Sequence, residues 1–512
     1  MDSRHRTRDR SPLDRLHRLL TDSECEQVSF GSGSATDRTE THQLPIPGSE
    51  HLPMPDFPDG LPRPRRDWAV ATIGLVIIMA VMDGAIANVA LPTIAQDLHT
   101  NATNSIWIVN GYQLAIAVSL LPLAALGEII TYRRVFIWGL ALFTLASLLC
   151  ALSQSFWMLA AARILQGFGA AGIMSVNTAL LRFTWPHAEL GRGIGLNALL
   201  VAVAAALGPT VAAAILSVTS WPYLFAVNIP LGLIALAVAR RTLPDSPRGL
   251  QPFDSRSAIM SAAMFALFVT SIDALGHGED PWIFVGELAL TGILATVLVR
   301  RQLTLASPLL PVDLLGQPII ALSVGTSILS FTAQMLALVS LPFLLQTRLG
   351  FSAVATGLLI TPWSVATGFA APIAGRLSDR YPAGLLSAIG LIVFACGLAA
   401  LADMPAHPSI PNVIWRMALC GAGFGLFQSP NNRAMIGNAP RARAGGAAGM
   451  LGTARLLGQT TGAALVALLF GRLGTSGQIV ALEVAAGAAV FGACISAIRL
   501  FDWPQIQNER IL

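Results

Sequence analysis

The stretch WAVATIGLVIIMAVMDGAIANVA, residues 68–90, carries a single charged side chain, Asp83. As a helix rising about 1.5 Å per residue it is about 34 Å long, enough to cross a ~30 Å hydrocarbon core. About fourteen stretches of about 20 residues like it follow one another as far as residue 500. Hydrocarbon offers no water to the backbone, so runs of this kind must be helices. Composition agrees: 54% of the 512 residues are hydrophobic and 12% charged, where a soluble chain carries roughly 25% charge. A soluble protein with several buried helices would not give so many uncharged runs. The expected fold is an all-α polytopic membrane protein.

Several functions are excluded early. There is no lysine, and all 32 basic residues are arginine. A Walker A loop needs its lysine at the β/γ-phosphates, so no such ATP site is expected, and Schiff-base chemistry is excluded for the same reason. The eight histidines fall in the tail or in expected loops, unsuited to haem or copper ligation. Five scattered cysteines show no CxxC spacing and read as small packing residues. A net charge of +4 does not suggest nucleic acid. No cofactor and no metal are expected, nor is an enzyme: no nucleophile–base pair, metal cluster or phosphate loop is visible.

Residues 1–66 are rich in Arg, Asp, Ser, Thr and Pro and read as a disordered cytoplasmic tail, with a short surface helix from Ser11 to Glu26. The expected spans are about 68–90, 104–125, 133–152, 156–181, 190–216, 221–240, 256–276, 282–300, 317–343, 351–373, 383–402, 411–436, 444–470 and 477–500. Arginine marks every second connection, from Arg63/Arg65/Arg66 through Arg133/Arg134, Arg182/Arg192, Arg240/Arg241/Arg248, Arg300/Arg301 and Arg376/Arg380 to Arg433/Arg441/Arg443. The alternate connections hold only Arg348 and Arg472. By the positive-inside rule both termini are cytoplasmic.

Sliding the chain along itself by roughly 250 residues aligns Gly127 with Gly375, the Arg163-Ile-Leu-Gln-Gly helix with that of Arg416 and Gly421, and Gly208 with the helix of Gly458 and Gly462. A parallel repeat of two six-helix bundles is a transporter architecture with its site at the bundle interface. Residues 67–241 form the first bundle, 242–316 carry two inserted helices with flanking loops, and 317–512 form the second bundle with a short C-terminal tail.

At this point the motifs resemble a known family. Met82-Asp83-Gly84-Ala85-Ile86-Ala87-Asn88-Val89-Ala90-Leu91-Pro92 is similar to the acidic first-helix motif of the fourteen-helix drug:H⁺ antiporters of the major facilitator superfamily. Arg163-Ile-Leu-Gln166-Gly167-Phe-Gly169 resembles the superfamily's arginine motif, and Leu207-Gly208-Pro209 looks like the antiporter motif associated with export. Gly421-Ala-Gly423-Phe-Gly425 with Pro430-Asn431-Asn432 also matches members of the family. The resemblance covers roughly residues 67–500, and four motifs in register make it specific. The family's cytoplasmic loop, Gly-x-x-x-Asp-Arg-x-Gly-Arg-Arg, is shortened here to Gly127-Glu-Ile-Ile-Thr-Tyr-Arg133-Arg134 and lacks the Asp. The second half keeps Gly375-Arg376-Leu-Ser-Asp379-Arg380, so the cytoplasmic latch implied by the resemblance rests more on that half, with Glu128 as a partial substitute in the first.

A charge at mid-membrane costs ~2.5–3.5 kcal/mol on insertion scales and so needs a reason. Burial disfavours the ionised form of Asp83, which would let it alternate between holding a proton and attracting a cationic substrate; its structural reading is a hydrogen bond to a neighbouring helix. Arg163, with Gln166 and Gly167 on the same face, cannot release its proton and would bias a nearby carboxylate or water chain; otherwise it snorkels. Arg416, Asn431, Asn432, and the stripe of Arg455 and Gln459 are candidates for a cavity in the second half, with packing as the alternative. Glu287 and Glu483 are each either a second proton or cation site or a structural residue. Gly208-Pro209 removes a helix hydrogen bond and reads as a hinge or a fixed kink.

The function expected is a proton-coupled antiporter exporting lipophilic, cationic or amphiphilic small molecules (multidrug efflux) across the inner membrane, its partners being substrate, protons and lipid. A dedicated exporter of one metabolite and a non-transporting membrane sensor on the same scaffold are the alternatives.

Overall fold

A computed structural model describes residues 59–246, 254–277, 280–305, 312–439 and 443–501. The expected tail helix from Ser11 to Glu26 and the basic positions Arg248 and Arg441 lie outside the described residues. Fourteen long helices occur among them: α1 (Arg65–Asp97), α2 (Trp107–Ile130), α3 (Tyr132–Ala151), α4 (Phe156–Thr184), α5 (Leu190–Val218), α6 (Asn228–Thr242), α7 (Ser255–His277), α8 (Pro281–Thr304), α9 (Pro318–Phe343), α10 (Ala353–Leu377), α11 (Ala383–Ala402), α12 (Ile410–Gly437), α13 (Ala444–Leu473) and α14 (Gly477–Ile498). Thirteen described segments are long and apolar enough to cross a membrane, and the last, Gly446–Ile498, holds both α13 and α14. Those two part at Gly474, whose φ of 57° suits a residue without Cβ.

Polar residues start several of the helices. The side chains of Ser155 and Ser352 accept hydrogen bonds from the backbone N–H groups of Met158 and Ala355, satisfying donors at the starts of α4 and α10. One boundary differs from expectation. α1 runs on through Pro92 to Asp97 instead of ending near residue 90. Pro92 cannot donate to the carbonyl of Asn88, yet both residues are buried among neighbouring helices, where membrane proteins tolerate such a break.

The repeat is visible in the packing. In the first half α3 packs on α4, α2 on α4, α1 on α5, α1 on α6, and α3 on α6. The second half repeats every pairing, with α11 on α12, α10 on α12, α9 on α13, α9 on α14, and α11 on α14. Glycines set these seams. A Cβ on Gly139 would meet the Gly169 carbonyl oxygen at 2.9 Å, and one on Gly390 would meet that of Gly423 at the same distance. A Cβ on Gly167 would come 2.5 Å from the Tyr112 carbonyl oxygen, and Gly421 presses on Trp363 in the same way. We expect Gly421→Ala to destabilise the fold by about 1–3 kcal/mol, the usual range for overpacking. Gly191→Ala, where nothing lies within 4 Å, should be harmless. Thermal unfolding in detergent compares the two.

The halves meet along α5 with α10, α2 with α13, and α1 with α9. α7 packs on both α2 and α13, and α8 packs on α7. Asp254, just before α7, ties these two helices: it accepts from the Ser257 hydroxyl at 2.5 Å and pairs with Arg301 of α8 at 2.9 Å. Burial alone would raise the Asp254 carboxyl, but the hydrogen bonds from Ser257 and Arg301 outweigh it and hold it below its ordinary 3.8. A depressed carboxylate stabilises above its unfolded value and loses that contribution as pH falls through the folded one. The tie should therefore persist to below about pH 3.8. Hydrogen exchange at the start of α7, unchanged at neutral pH and faster only in that acid range, checks it.

Candidate functional site

Asp83 lies near the middle of α1 and is 2% exposed. It is not an open carboxylate. Its Oδ1 accepts from Gln166 Nε2 and from Asn228 Nδ2, both at 2.9 Å. Its Oδ2 accepts from Arg163 Nη1. Arg163 is itself fully buried. Its Nε donates to the Ile108 carbonyl at 3.2 Å and its Nη1 to Gln166 Oε1 at 2.5 Å. The guanidinium carbon stands 4.0 Å from the centre of the Tyr112 ring and 5.5 Å from that of Phe225. Gln166 Nε2 also donates to Ser147 Oγ at 2.9 Å.

The sequence explains this meeting. Arg163 and Gln166 are three residues apart on α4 and so share a face, and the absent side chain of Gly167 lets α2 come close enough to supply Tyr112 and the Ile108 carbonyl. A buried charge removed from water is stabilised only by a partner and by satisfied hydrogen bonds. Here the carboxylate has an arginine and two amides, so the pair is neutral overall and sealed. A cation arriving from solution would have to displace Arg163. That removes the free carboxylate on which the expectation of a cationic substrate rested. Ser147 and Asn228 belong to the site and are absent from the sequence reading. Asn228 was detectable by the rule that found Asp83, being a polar residue in the apolar run AVNIPLGL.

The first-half glycine and proline of α5 sit where the halves touch. A Cβ on Gly208 would meet that of Ala85 on α1 at 2.6 Å, and one on Gly357 of α10 would meet the Pro209 carbonyl oxygen at 2.5 Å. Next to them the hydroxyls of Thr210 and Thr361 are 2.7 Å apart. α9 closes with a π-helical turn, Leu344–Arg348, which presents Gln346 to α1. Gln346 Nε2 donates to the Val89 carbonyl at 2.9 Å, and Thr93 donates to its Oε1 at 3.2 Å. These ties all lie toward the end of the molecule where α1 finishes. Asn88 is buried beside them with Oδ1 unpartnered, and Pro92 is buried as well.

At the opposite end, the latch residues bond locally. Arg133 pairs with Asp245 at 2.9 Å and donates to the Arg240 carbonyl at 2.5 Å. Glu128 is exposed, and Asp245 rather than Glu128 answers Arg133. Gly127 packs against Tyr132 and Val176, and Arg134 is exposed. In the second half Asp379 pairs with Arg433 of α12, Arg376 and Arg380 are exposed, and Gly375 faces Ser429. None of these bonds spans the two halves.

The remaining candidates scatter. Arg416 donates to the carbonyls of Ala400 and Asp403 and so caps α11. Asn431 is buried, donating to Ser327 Oγ at 2.8 Å and accepting from Arg499 at 2.8 Å, while Asn432 is half-buried. Glu483 is exposed on α14, and Glu287 is half-buried on α8 with Oε2 unpartnered. Arg455 and Gln459 are half-buried on α13.

Comparison with known proteins agrees with this architecture. The sequence profile of the Major Facilitator Superfamily matches residues 73–463 and, again, 322–503. The uncharacterized transporter YebQ of Escherichia coli (strain K12) is 55% identical over 444 residues, covering 86% of this chain and 97% of that protein. The multidrug efflux pump LfrA of Mycolicibacterium smegmatis is 28% identical over 414 residues, covering 80% of this chain and 81% of its own. A bacterial homolog of the human lysosomal transporter Spinster, solved inward-facing and unoccupied, superposes with a TM-score of 0.62 at 14% identity, covering 86% of this chain and 97% of that one, and shares the fold. With a profile match along most of its length and a near relative named a transporter, this chain belongs to the major facilitator superfamily and is a multi-pass membrane transporter of small molecules, not an enzyme.

Proposed function

We propose that the protein is a proton-coupled antiporter exporting lipophilic small molecules across the inner membrane, in fourteen crossings with both termini in the cytoplasm. The arginine-rich connections support that orientation. The observation that carries the coupling is the sealed Asp83–Arg163 pair. A carboxylate that must be either protonated or paired with a buried arginine is a two-state element. Protonation releases Arg163 from Asp83, and deprotonation draws it back, so the pair converts proton occupancy into a change of packing between α1 and α4.

In this orientation the ties at Gln346, Thr210 and Thr361 close the outer side, and substrate is loaded from the cytoplasm. Reopening to the outside has to break these few neutral hydrogen bonds, worth about 0.5–1.5 kcal/mol each. Such a barrier is compatible with cycling. Export as the direction is supported by the Leu207-Gly208-Pro209 motif and by the relative named a multidrug efflux pump.

A susceptibility and efflux screen across a compound panel, with and without a protonophore, tests the reading. Efflux of unrelated lipophilic compounds that stops with the protonophore is the expected result. Efflux of one compound alone would make the protein a dedicated exporter, and efflux indifferent to the protonophore would refute proton coupling.

A further inference from the structure

Arg455 stands near the middle of α13, a helix that spans the bilayer in the reading above, and so bears a charge where charge is costly. Arg163, the other arginine of this kind, is answered by Asp83. Arg455 is not answered. Among the described residues it has an ion pair with no carboxylate and a hydrogen bond to no group; its guanidinium lies 5.6 Å from the centre of the Phe331 ring. Gln459, one turn further along the same stripe, likewise has no hydrogen-bond partner among the described residues, and both side chains are half-buried.

The neighbours of α13 fix the direction in which the two point. Gly452 faces Leu120 of α2, in the first half, at 4.0 Å, and Gly458 packs on Ile328 and Phe331 of α9. Arg455 is three residues from each and lies between them on the helix circumference at about 100° per residue. Ala464, on the side packed against Val269 and Ile272 of α7, points the opposite way. Arg455 and Gln459 therefore face the seam where the two halves meet. Among the described residues no acid balances them there: Asp83 is engaged, Glu483 is exposed on α14, and Glu287 lies on α8, which packs on α7.

We propose that Arg455 and Gln459 form the recognition site for an acidic group on the transported molecule, so that the substrates are amphiphilic anions. Guanidinium presents a planar fork of N–H donors matched to a carboxylate or sulfonate, and the Gln459 amide adds a further donor. Phe331 beside it stands edge-on to Phe424, with ring centres 5.5 Å apart, and offers an aromatic wall to the apolar body. The assignment deepens the export reading and rests on it for the word substrate, but binding can be measured apart from transport.

The test uses the purified full chain in lipid nanodiscs and two probes of equal body and opposite charge, naphthalene-2-sulfonate and 2-naphthyltrimethylammonium, titrated by calorimetry. The unsubstituted protein should bind the sulfonate at least tenfold more tightly than the cation. Arg455→Gln should erase that preference, and Arg455→Lys, which keeps the charge, should retain most of it and guard against misfolding. Binding of neither probe, equal binding of the two, or a preference that survives Arg455→Gln overturns the assignment. In proteoliposomes, an anion preference in binding without proton-driven flux would instead count against the export reading and leave the site standing.

Discussion

Asp83→Asn is expected to lower proton-driven efflux at least ~100-fold, equivalent to about 2.7 kcal/mol in the barrier. Asparagine keeps the shape and can still accept one hydrogen bond, but it neither takes up a proton nor carries charge. The change leaves Arg163 fully buried beside a neutral amide. Removing one partner of a buried ion pair costs about 3–5 kcal/mol, so the variant should also unfold earlier in detergent. Lost flux and lost stability must be separated. The double variant Asp83→Asn, Arg163→Gln removes both charges and should recover most of the stability while transport stays absent. Efflux assayed in everted vesicles, alongside thermal unfolding of each variant, gives the two readouts. Undiminished proton-driven flux in Asp83→Asn would remove Asp83 from the coupling step.

The second large effect concerns the tie between α5 and α10. With the hydroxyls of Thr210 and Thr361 at 2.7 Å, cysteines at both positions should oxidise to a disulfide across the two halves. Such a bond would hold α5 to α10 and prevent opening on that side. We expect efflux to fall at least tenfold on oxidation and to return with dithiothreitol. The background must lack the native cysteines, since Cys396 and Cys494 are exposed. Full efflux by an oxidised, cross-linked protein would show that the halves do not separate along this seam during the cycle.

The helices and their order were legible because length and apolarity are enough to name a span when the backbone has no solvent. The glycine seams were legible as motifs, although their depth of contact was not. The chemistry was less accessible. Asp83 and Arg163 stood out as charges in apolar runs, but nothing in the chain says that they touch: eighty residues separate them, and Asn228 comes from a third helix. Arg416 was aligned with Arg163 by the slide of the chain along itself. The seams shift that register by one, since Gly167 answers Gly421 and Gly169 answers Gly423, which sets Met417 opposite Arg163. Asp245 as partner of Arg133 was hidden for a different reason. It belongs to a connecting segment, where no periodicity points at a neighbour.

The matched seams of α3 with α4 and α11 with α12 bear on descent as well as on packing. A gene doubled from a six-helix ancestor would pass on both backbone fit and polar chemistry. Here the glycines and the phenylalanines they approach, Phe143 and Phe394, stand at corresponding places, while among the described residues a fully buried acid–arginine pair occurs in the first half alone. A side chain at one of these glycines would force two backbones apart, so the seams hold both halves to one backbone geometry while leaving their polar residues free to differ.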